Sequence, residues 1–563
     1  MKPIYLILLA LSLIALYSNG LHDSLAFDDA GEFESAVSTL GIPHSPGHPI
    51  FVLTGNFFSG LTGGVGRLWI LFPLLSIVCS ILILTYSLKD RLDKGVLAFG
   101  LILGLNPHFA EYALQGEVYA LHFLFLSIIY YALIRERWLL FCYFLGLSLC
   151  NNPSHIFTIP LLLIAWYSVL RMDKKVLLKK ILQGSFLFFL GLTPYLFLPL
   201  RAIHKPLLNW GDPSSLKAFL YLTTAREFSS KLLGHSRNTE GIYATLKANL
   251  WLPEGLFIIA IMGLVYLLIS REKGERKPGY SILPDAIYER RYVIFLILLG
   301  GVHFITAIYF WGNSLALSAY LLPVFVIITL IAIEGLGDIS RLFNLKPIYY
   351  YLSVMLLVSA CLIRFDFKST SPNPGKYAML NLGEVPYKGI LASENSICYF
   401  GVMYKKLVEH LREDMDILYL PYRKKNFQST EYKHFQDLIS PLRYYKEAPL
   451  IRYNPSDIRL LPYSALKPNG VLFRVDPSVI MDFEIASNKR KMDAVFKSID
   501  YKSDRDAAIR LRIISAQSGE YFYSRGMYDD ALYFFYLASN ASPNDKKVLK
   551  NIEIIKRASG KAR

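Results

Sequence analysis

Long apolar runs and short charged breaks alternate up to about residue 365 and then stop. Runs of about 17–22 apolar residues are each long enough to cross a bilayer as helix. They predict eleven helices, near residues 3–20, 68–88, 95–108, 117–134, 138–151, 153–170, 181–200, 253–270, 292–310, 315–334 and 347–364. Those at 95–108 and 138–151 fall short of the roughly 20 residues usual for a span. From residue 366 the pattern changes to short mixed runs such as GILASENSICYFGV and MDILYLPY, broken by Pro and charged turns. That pattern predicts an α/β region. Three domains are expected: an α-helical multi-pass membrane domain over 1–365, a soluble α/β domain over 366–505 and a helical repeat over 506–563.

The repeat rests on spacing. From Arg512 to Pro543, the positions Gly519, Phe522, Ala531, Phe535, Ala538 and Pro543 match a tetratricopeptide repeat. Small residues at Gly519, Ala531 and Ala538 would let paired helices approach closely. One repeat is below the usual stability threshold, so Asp545–Ala558 is expected to act as a capping helix. Internal packing and peptide recognition both remain open as its purpose.

Composition agrees with the membrane reading. A hydrophobic share of 53% and a mean hydropathy of +0.35 are too apolar for a soluble chain of 563 residues. The net charge of +16 does not point to nucleic acid, because many of the basic residues cluster in short loops. KDRLDK (89–94), RER (135–137), RMDKKVLLKK (171–180), the stretch 271–291 and GDISRLFNLK (337–346) carry Lys or Arg; the opposite set, 21–66, 109–116 and 311–314, carries none. The positive-inside rule then predicts a cytoplasmic N-terminus in a cytoplasmic (inner) membrane and puts 21–66 on the outer face. An odd number of spans puts the tail outside as well. Met1–Gly20, with its basic start and small residues Ser18 and Gly20, also fits a cleaved signal peptide. A retained helix is the reading taken here, and either leaves the following loop outside. Cys79, Cys142, Cys150 and Cys361 lie in or beside apolar runs and only Cys398 lies in the tail, so the tail forms no internal disulfide. The sequence has no CxxC or zinc-type spacing.

The candidate chemistry lies in FDDAGEFESAVSTLGIPHSPGHPIF, Phe27 to Phe51. Asp28, Asp29, Glu32 and Glu34 accompany His44 and His48 with no Lys or Arg among them, and carboxylates held at a membrane mouth are costly unless they bind or react. DDAGEFESAVSTL predicts a short amphipathic helix with Asp28 as its cap and with Asp29 and Glu32 on one face. Pro43, Pro46 and Pro49 stiffen the following turn, and Gly47 allows tight passage. His44 and His48 could bond a phosphate or orient a carboxylate; metal binding by the histidines and acids matches no standard spacing. The second outer loop adds Glu111, Glu117 and His122. Glu117 begins a helix, where a cap role is equally natural, while His122 is expected to face protein. Arg201, at the outer end of the seventh span, could snorkel to headgroups or pair with a phosphate.

These blocks resemble a known family. DAGEFESAVSTLGIPHSPGHPIF is similar to the D-S-G-E-L…L-G-x-x-H-P-P-G-Y-P-L-F signature of the transmembrane protein 260-like family. EVYALH (117–122), GLSLCNN (146–152), YLFLPLRA (195–202) and NWGDPSSLKAFLYLTTAREF (209–228) resemble further blocks in the same order. Ser45 and His48 depart from the proline and tyrosine often found there. The family in turn resembles the GT-C glycosyltransferases, including protein O-mannosyltransferases, which use a polyprenyl-phosphate-linked sugar and an acid in the first outer loop. Carried over by position, the motif acids fall on Asp29 and Glu32, which the resemblance makes the catalytic pair. Asp28, His44, His48, Glu117, His122, Arg201, Trp210 and Asp212 are the expected substrate-binding set.

The expected function is therefore an integral membrane glycosyltransferase acting at the outer face. A carboxylate would take the acceptor's proton, and a cation, Arg201, would stabilise the departing phosphate. The expected partners are a polyprenyl-phosphate-linked sugar as donor, an acceptor protein or glycolipid, and membrane lipids, with no nucleic acid. No cofactor is assigned beyond the polyprenyl-phosphate sugar as donor substrate, and a divalent metal requirement stays open. A transporter or flippase for a lipid-linked sugar is the alternative, although no duplicated half is visible. A non-catalytic scaffold would leave the acids and histidines unexplained.

Overall fold

The computed structural model describes residues 2–20, 29–63, 69, 71–92, 95–135, 137–158, 174–226, 300–305, 307, 317–343, 346–364, 373–385, 387, 389–393, 396–419, 444–447, 466–475, 480–502 and 504–560. Two compact units result: residues 1–24 with 39–370, and 25–38 with 371–563.

The first unit is helical. Apolar helices Pro3–Ser18, Leu71–Ser87, Tyr119–Ile134, Trp138–Leu149, Lys174–Gly191, Leu317–Leu342 and Pro347–Arg364 fall on expected spans. Among the described residues, two segments are long and apolar enough to cross a membrane: Lys175–Ile203, of 29 residues, and Ala319–Gly337, of 19. The predicted span 253–270 lies outside the described residues. Of 153–170 the structure describes only the turn Pro153–Thr158 and, of 292–310, only 300–305 and 307. The predicted span 95–108 is a helix of nine residues, Val96–Gly104. It ends where the Asn106 side chain accepts from His108 N–H and caps a new helix, Pro107–Ala113.

Glycines let these helices meet. The Pro3–Ser18 helix crosses Val96–Gly104 with Leu9 over Gly100 and Leu13 over Gly104, and the Tyr17 hydroxyl donates to Gly104 O at 2.8 Å. Trp138–Leu149 and Lys174–Gly191 approach backbone to backbone, because a Cβ on Gly146 would strike Phe188 O and one on Gly191 would strike Tyr143 O. The stretch 21–66 carries two helices among its described residues: Ala30–Thr39, on the stretch predicted as a short amphipathic helix, and Pro49–Thr62, which was expected as loop.

The second unit includes a mixed five-stranded sheet, β1 (Ile390–Ser393), β2 (Asp416–Tyr419), β3 (Tyr444–Glu447), β4 (Leu466–Asn469) and β5 (Leu472–Val475), in the order β2-β1-β3-β5-β4. β1 runs parallel to β2 and β3, whereas β5 runs antiparallel to β3 and β4. Gly470, at φ +64°, makes the β4–β5 turn. The Arg412 guanidinium ties Leu382 O and Val385 O to Asp414. Beyond the sheet, helices Arg505–Tyr523, Tyr528–Ala541 and Lys546–Ala558 follow one another. Phe522 stacks on Phe534 at 5.2 Å, Gly519 packs under Phe535, and Asp545 caps the last helix.

Candidate active site

The acids come first in the chain. The Ala30–Thr39 helix starts one residue later than its predicted cap requires, so Asp29, not Asp28, stands directly before it. Asp28 lies outside the described residues. Asp29 O accepts from Glu32 N–H and Phe33 N–H, both at 3.0 Å, which starts the helical ladder. Glu32 in the first turn is fully buried, as is Glu34. One turn separates Asp29 from Glu32, so they share a face, and both sit where the helix dipole favours negative charge. Asp29 is the more accessible of the two.

The helix ends at Thr39, followed by Leu40 at φ +50°. Arg201 seals that end: Nε donates to Leu40 O at 2.8 Å and Nη2 to Thr39 O at 3.0 Å. A cation is favoured at a helix C-terminus. The sequence offered Arg201 to a phosphate; in the structure two of its nitrogens are spent on carbonyls.

Within the first unit, Ile42 pairs with the 208–210 segment. Ile42 N–H donates to Leu208 O at 2.7 Å and Trp210 N–H to Ile42 O at 3.0 Å, forming a parallel bridge with Asn209. Gly41 is obligatory for this approach, since a Cβ there would lie 2.8 Å from Leu208 Cβ and 3.0 Å from Leu208 O. Trp210 is largely buried and meets His44 edge-on at 5.9 Å. Asp212 is exposed at φ +37°, and it accepts from Asn209 Nδ2 at 3.2 Å, closing the turn that presents Trp210. Ser45 Oγ donates to Leu222 O, and Gly47, at φ +87°, passes close to Leu198, so that a Cβ there would lie 3.0 Å from Leu198 Cδ1 in backbone that an L side chain rarely adopts.

His48 is held hardest. It is buried, left-handed at φ +40°, and precedes Pro49, which opens the Pro49–Thr62 helix. Its Nδ1 donates to Asn151 O at 2.5 Å, which places the proton on Nδ1 and the lone pair on Nε2. Burial, then the neighbouring His44, lowers its pKa to about 3, against a small opposing push from the Asn151 bond. His48 is therefore neutral near pH 7 and brings no positive charge to a phosphate. Leu40, His48 and Asp212 are three non-glycine residues in left-handed backbone, each costing of order 1–3 kcal/mol. Lys205, Ala225, His410 and Arg412 share that backbone region, the last two in the second unit.

Two asparagines, Asn151 and Asn152, link His48 to the 117–122 segment and to Tyr320. Asn151 Nδ2 donates to Val118 O at 3.2 Å, and His122 N–H donates to the same carbonyl at 2.9 Å. Asn152 Nδ2 donates to the Tyr320 hydroxyl at 3.0 Å. His122, predicted to face protein, is buried against His155, their rings 4.2 Å apart; Glu117 is buried one residue before Val118. The sequence signal for these residues was the cluster CNNPSH inside an otherwise apolar stretch.

Residues 29–176 match the family described as the Protein O-mannosyl-transferase TMEM260 N-terminal domain. A Mus musculus protein named Protein O-mannosyl-transferase TMEM260 is 28% identical over 246 residues, covering 40% of this chain and 34% of that protein. A Dictyostelium discoideum protein of the same name is 23% identical over 293 residues, covering 47% of this chain and 36% of that one. The chain thus spans about a third of the length of the curated relatives it matches. The apo crystal structure of ArnT from Cupriavidus metallidurans covers 78% of this chain and 92% of its own at 12% identity and a TM-score of 0.30. Over residues 29–176 the chain is similar to the TMEM260 N-terminal domain, the family to which its motifs pointed.

Proposed function

We propose that the protein is a multi-pass membrane glycosyltransferase of GT-C type that moves a sugar from a polyprenyl-phosphate donor to a hydroxyl of a protein, or of a lipid-linked glycan, at the outer face of the membrane. One observation carries the reading: the O-mannosyl-transferase family match begins at Asp29 and includes Glu32, His44, His48, Glu117 and His122.

Asp29 is the general base. Its carboxylate takes the proton of the acceptor hydroxyl while that oxygen bonds to the anomeric carbon and the bond from that carbon to the phosphate oxygen breaks. The phosphate leaves as the polyprenyl phosphate. Glu32, one turn along, holds a second carboxylate toward the same helix face. Arg201 keeps Nη1 for the departing phosphate, because Nε and Nη2 already hold the helix end. Trp210 and His44 offer edge and face surface to the substrate, and neutral His48 offers a lone pair. Eleven spans with the tail outside, and a tetratricopeptide-type docking element in that tail for a protein acceptor, complete the proposal.

The test is a transfer assay on the purified full chain in proteoliposomes, with polyprenyl-phosphate mannose and a serine/threonine-rich peptide. Mannosylated peptide is the expected product. Movement of the intact donor across the bilayer without transfer would replace the enzyme with a lipid-sugar translocator.

A further inference from the structure

Beside the histidine loop lies a polar group that the transfer step above does not use. His122 sits three residues into the Tyr119–Ile134 helix, roughly 5 Å from its start. Its ring lies 4.2 Å from that of His155 and 5.8 Å from that of Tyr320. The Tyr320 hydroxyl accepts from Asn152 Nδ2 at 3.0 Å, and Tyr119 meets the Tyr320 ring edge-on at 5.9 Å. His122 and Asn152 are each 5% exposed and His155 is 1% exposed. Among the described residues, His122 Nδ1 and Asn151 Oδ1 have no hydrogen-bond partner. Val118 O accepts from both of these residues, so the two atoms belong to one neighbourhood. Buried polar atoms in this state call for a ligand or a solvent partner.

The residue types decide which ligand. A phosphate is best met by charged donors such as Lys and Arg, and none of these four side chains is either. A sugar hydroxyl both donates and accepts. Neutral imidazole, carboxamide and phenol each do the same. The tyrosine rings add the apolar surface that a small-molecule pocket pairs with a few placed polar groups.

We infer that His122, Asn152, His155 and Tyr320 form the subsite for the monosaccharide of the lipid-linked donor, recognising its hydroxyls and not its phosphate. The inference rests on the glycosyltransferase reading and assigns the sugar to one end of that site and the phosphate to another. Its test compares binding of polyprenyl-phosphate mannose with binding of sugar-free polyprenyl phosphate of the same chain length, on the full chain in detergent. His122→Phe and Tyr320→Phe keep ring size and remove the polar atoms. Each should weaken the sugar-bearing ligand by about tenfold, the loss expected for a hydrogen bond to a sugar hydroxyl. The sugar-free ligand should change by less than about twofold by the same arithmetic. Equal losses for both ligands, or no loss for either in two folded variants, would overturn the subsite. A wild-type protein that binds neither ligand would overturn the glycosyltransferase reading, and the subsite with it.

Discussion

Two places in the first unit bring backbone close to backbone, and they do so by opposite means. Where Trp138–Leu149 meets Lys174–Gly191, and where Pro3–Ser18 meets Val96–Gly104, glycines remove side chains and the helices stay regular. Where residues 40–48 meet 198–222, approach is bought with left-handed Leu40, His48 and Asp212, a guanidinium on helix-end carbonyls and a buried imidazole. Regular packing needs none of that. The first arrangement joins regular helices and the second frames the candidate site, so substitutions should divide along the same line.

The largest effect belongs to the regular seam. Gly191→Leu would drive a side chain into Tyr143 O across the helix pair. Overpacking against backbone destabilises by about 1–3 kcal/mol or more, and the chain is expected to lose its monodisperse peak in size-exclusion chromatography. A Gly191→Leu protein that stays folded and active would break the comparison. Arg201→Ala should behave differently. It removes charge-assisted hydrogen bonds worth about 1.5–3 kcal/mol each at most, so the protein should remain folded with a lower unfolding midpoint while transfer and donor binding both fall. If unfolding is unchanged, the guanidinium does not hold the helix end.

Gly41→Ala comes next. Its methyl lands 2.8 Å from Leu208 Cβ and must push the 40–48 segment off its bridge. A loss of about 1–2 kcal/mol is expected in chemical unfolding, with a larger fractional loss in transfer than in stability. Proportionate losses would mean that the bridge is ordinary packing.

The smallest effect is a slope. His48 has a folded pKa of about 3 against an ordinary value of 6.5, so between those two values the unfolded chain binds more protons than the folded one. Stability is present in full above about pH 6.5 and declines as pH falls toward 3. His48→Gln should flatten the acid side of the unfolding midpoint plotted against pH. An equally steep profile in the variant would show that other groups carry the acid sensitivity.

Much of this was legible in the chain because it is local. The acid helix follows from the cap-rich start and apolar period of DDAGEFESAVSTL, and the turn from its three prolines. The tail's short runs also announced an α/β region, and the sheet found there is mixed. Other features depend on partners far along the chain. Nothing near Arg201 states that Thr39 and Leu40 accept from it, nor does anything near His48 name Asn151. The Pro49–Thr62 helix hid inside a stretch read as loop because Gly55, Asn56, Ser59 and Gly60 interrupt its apolar run. Asn152 and His155 could be noticed as polar residues in an apolar setting, but only tertiary packing joins them to Tyr320 and His122.

The central claim is that Asp29 takes the acceptor's proton, and the direct measurement is single-turnover transfer by Asp29→Asn beside donor binding by the same protein. The amide keeps the side chain's shape and removes its basicity. General-base assistance is worth about 10²–10⁴-fold, so transfer should fall by roughly a hundredfold at least while donor affinity changes little. A folded Asp29→Asn protein that transfers sugar at the wild-type rate would contradict the account.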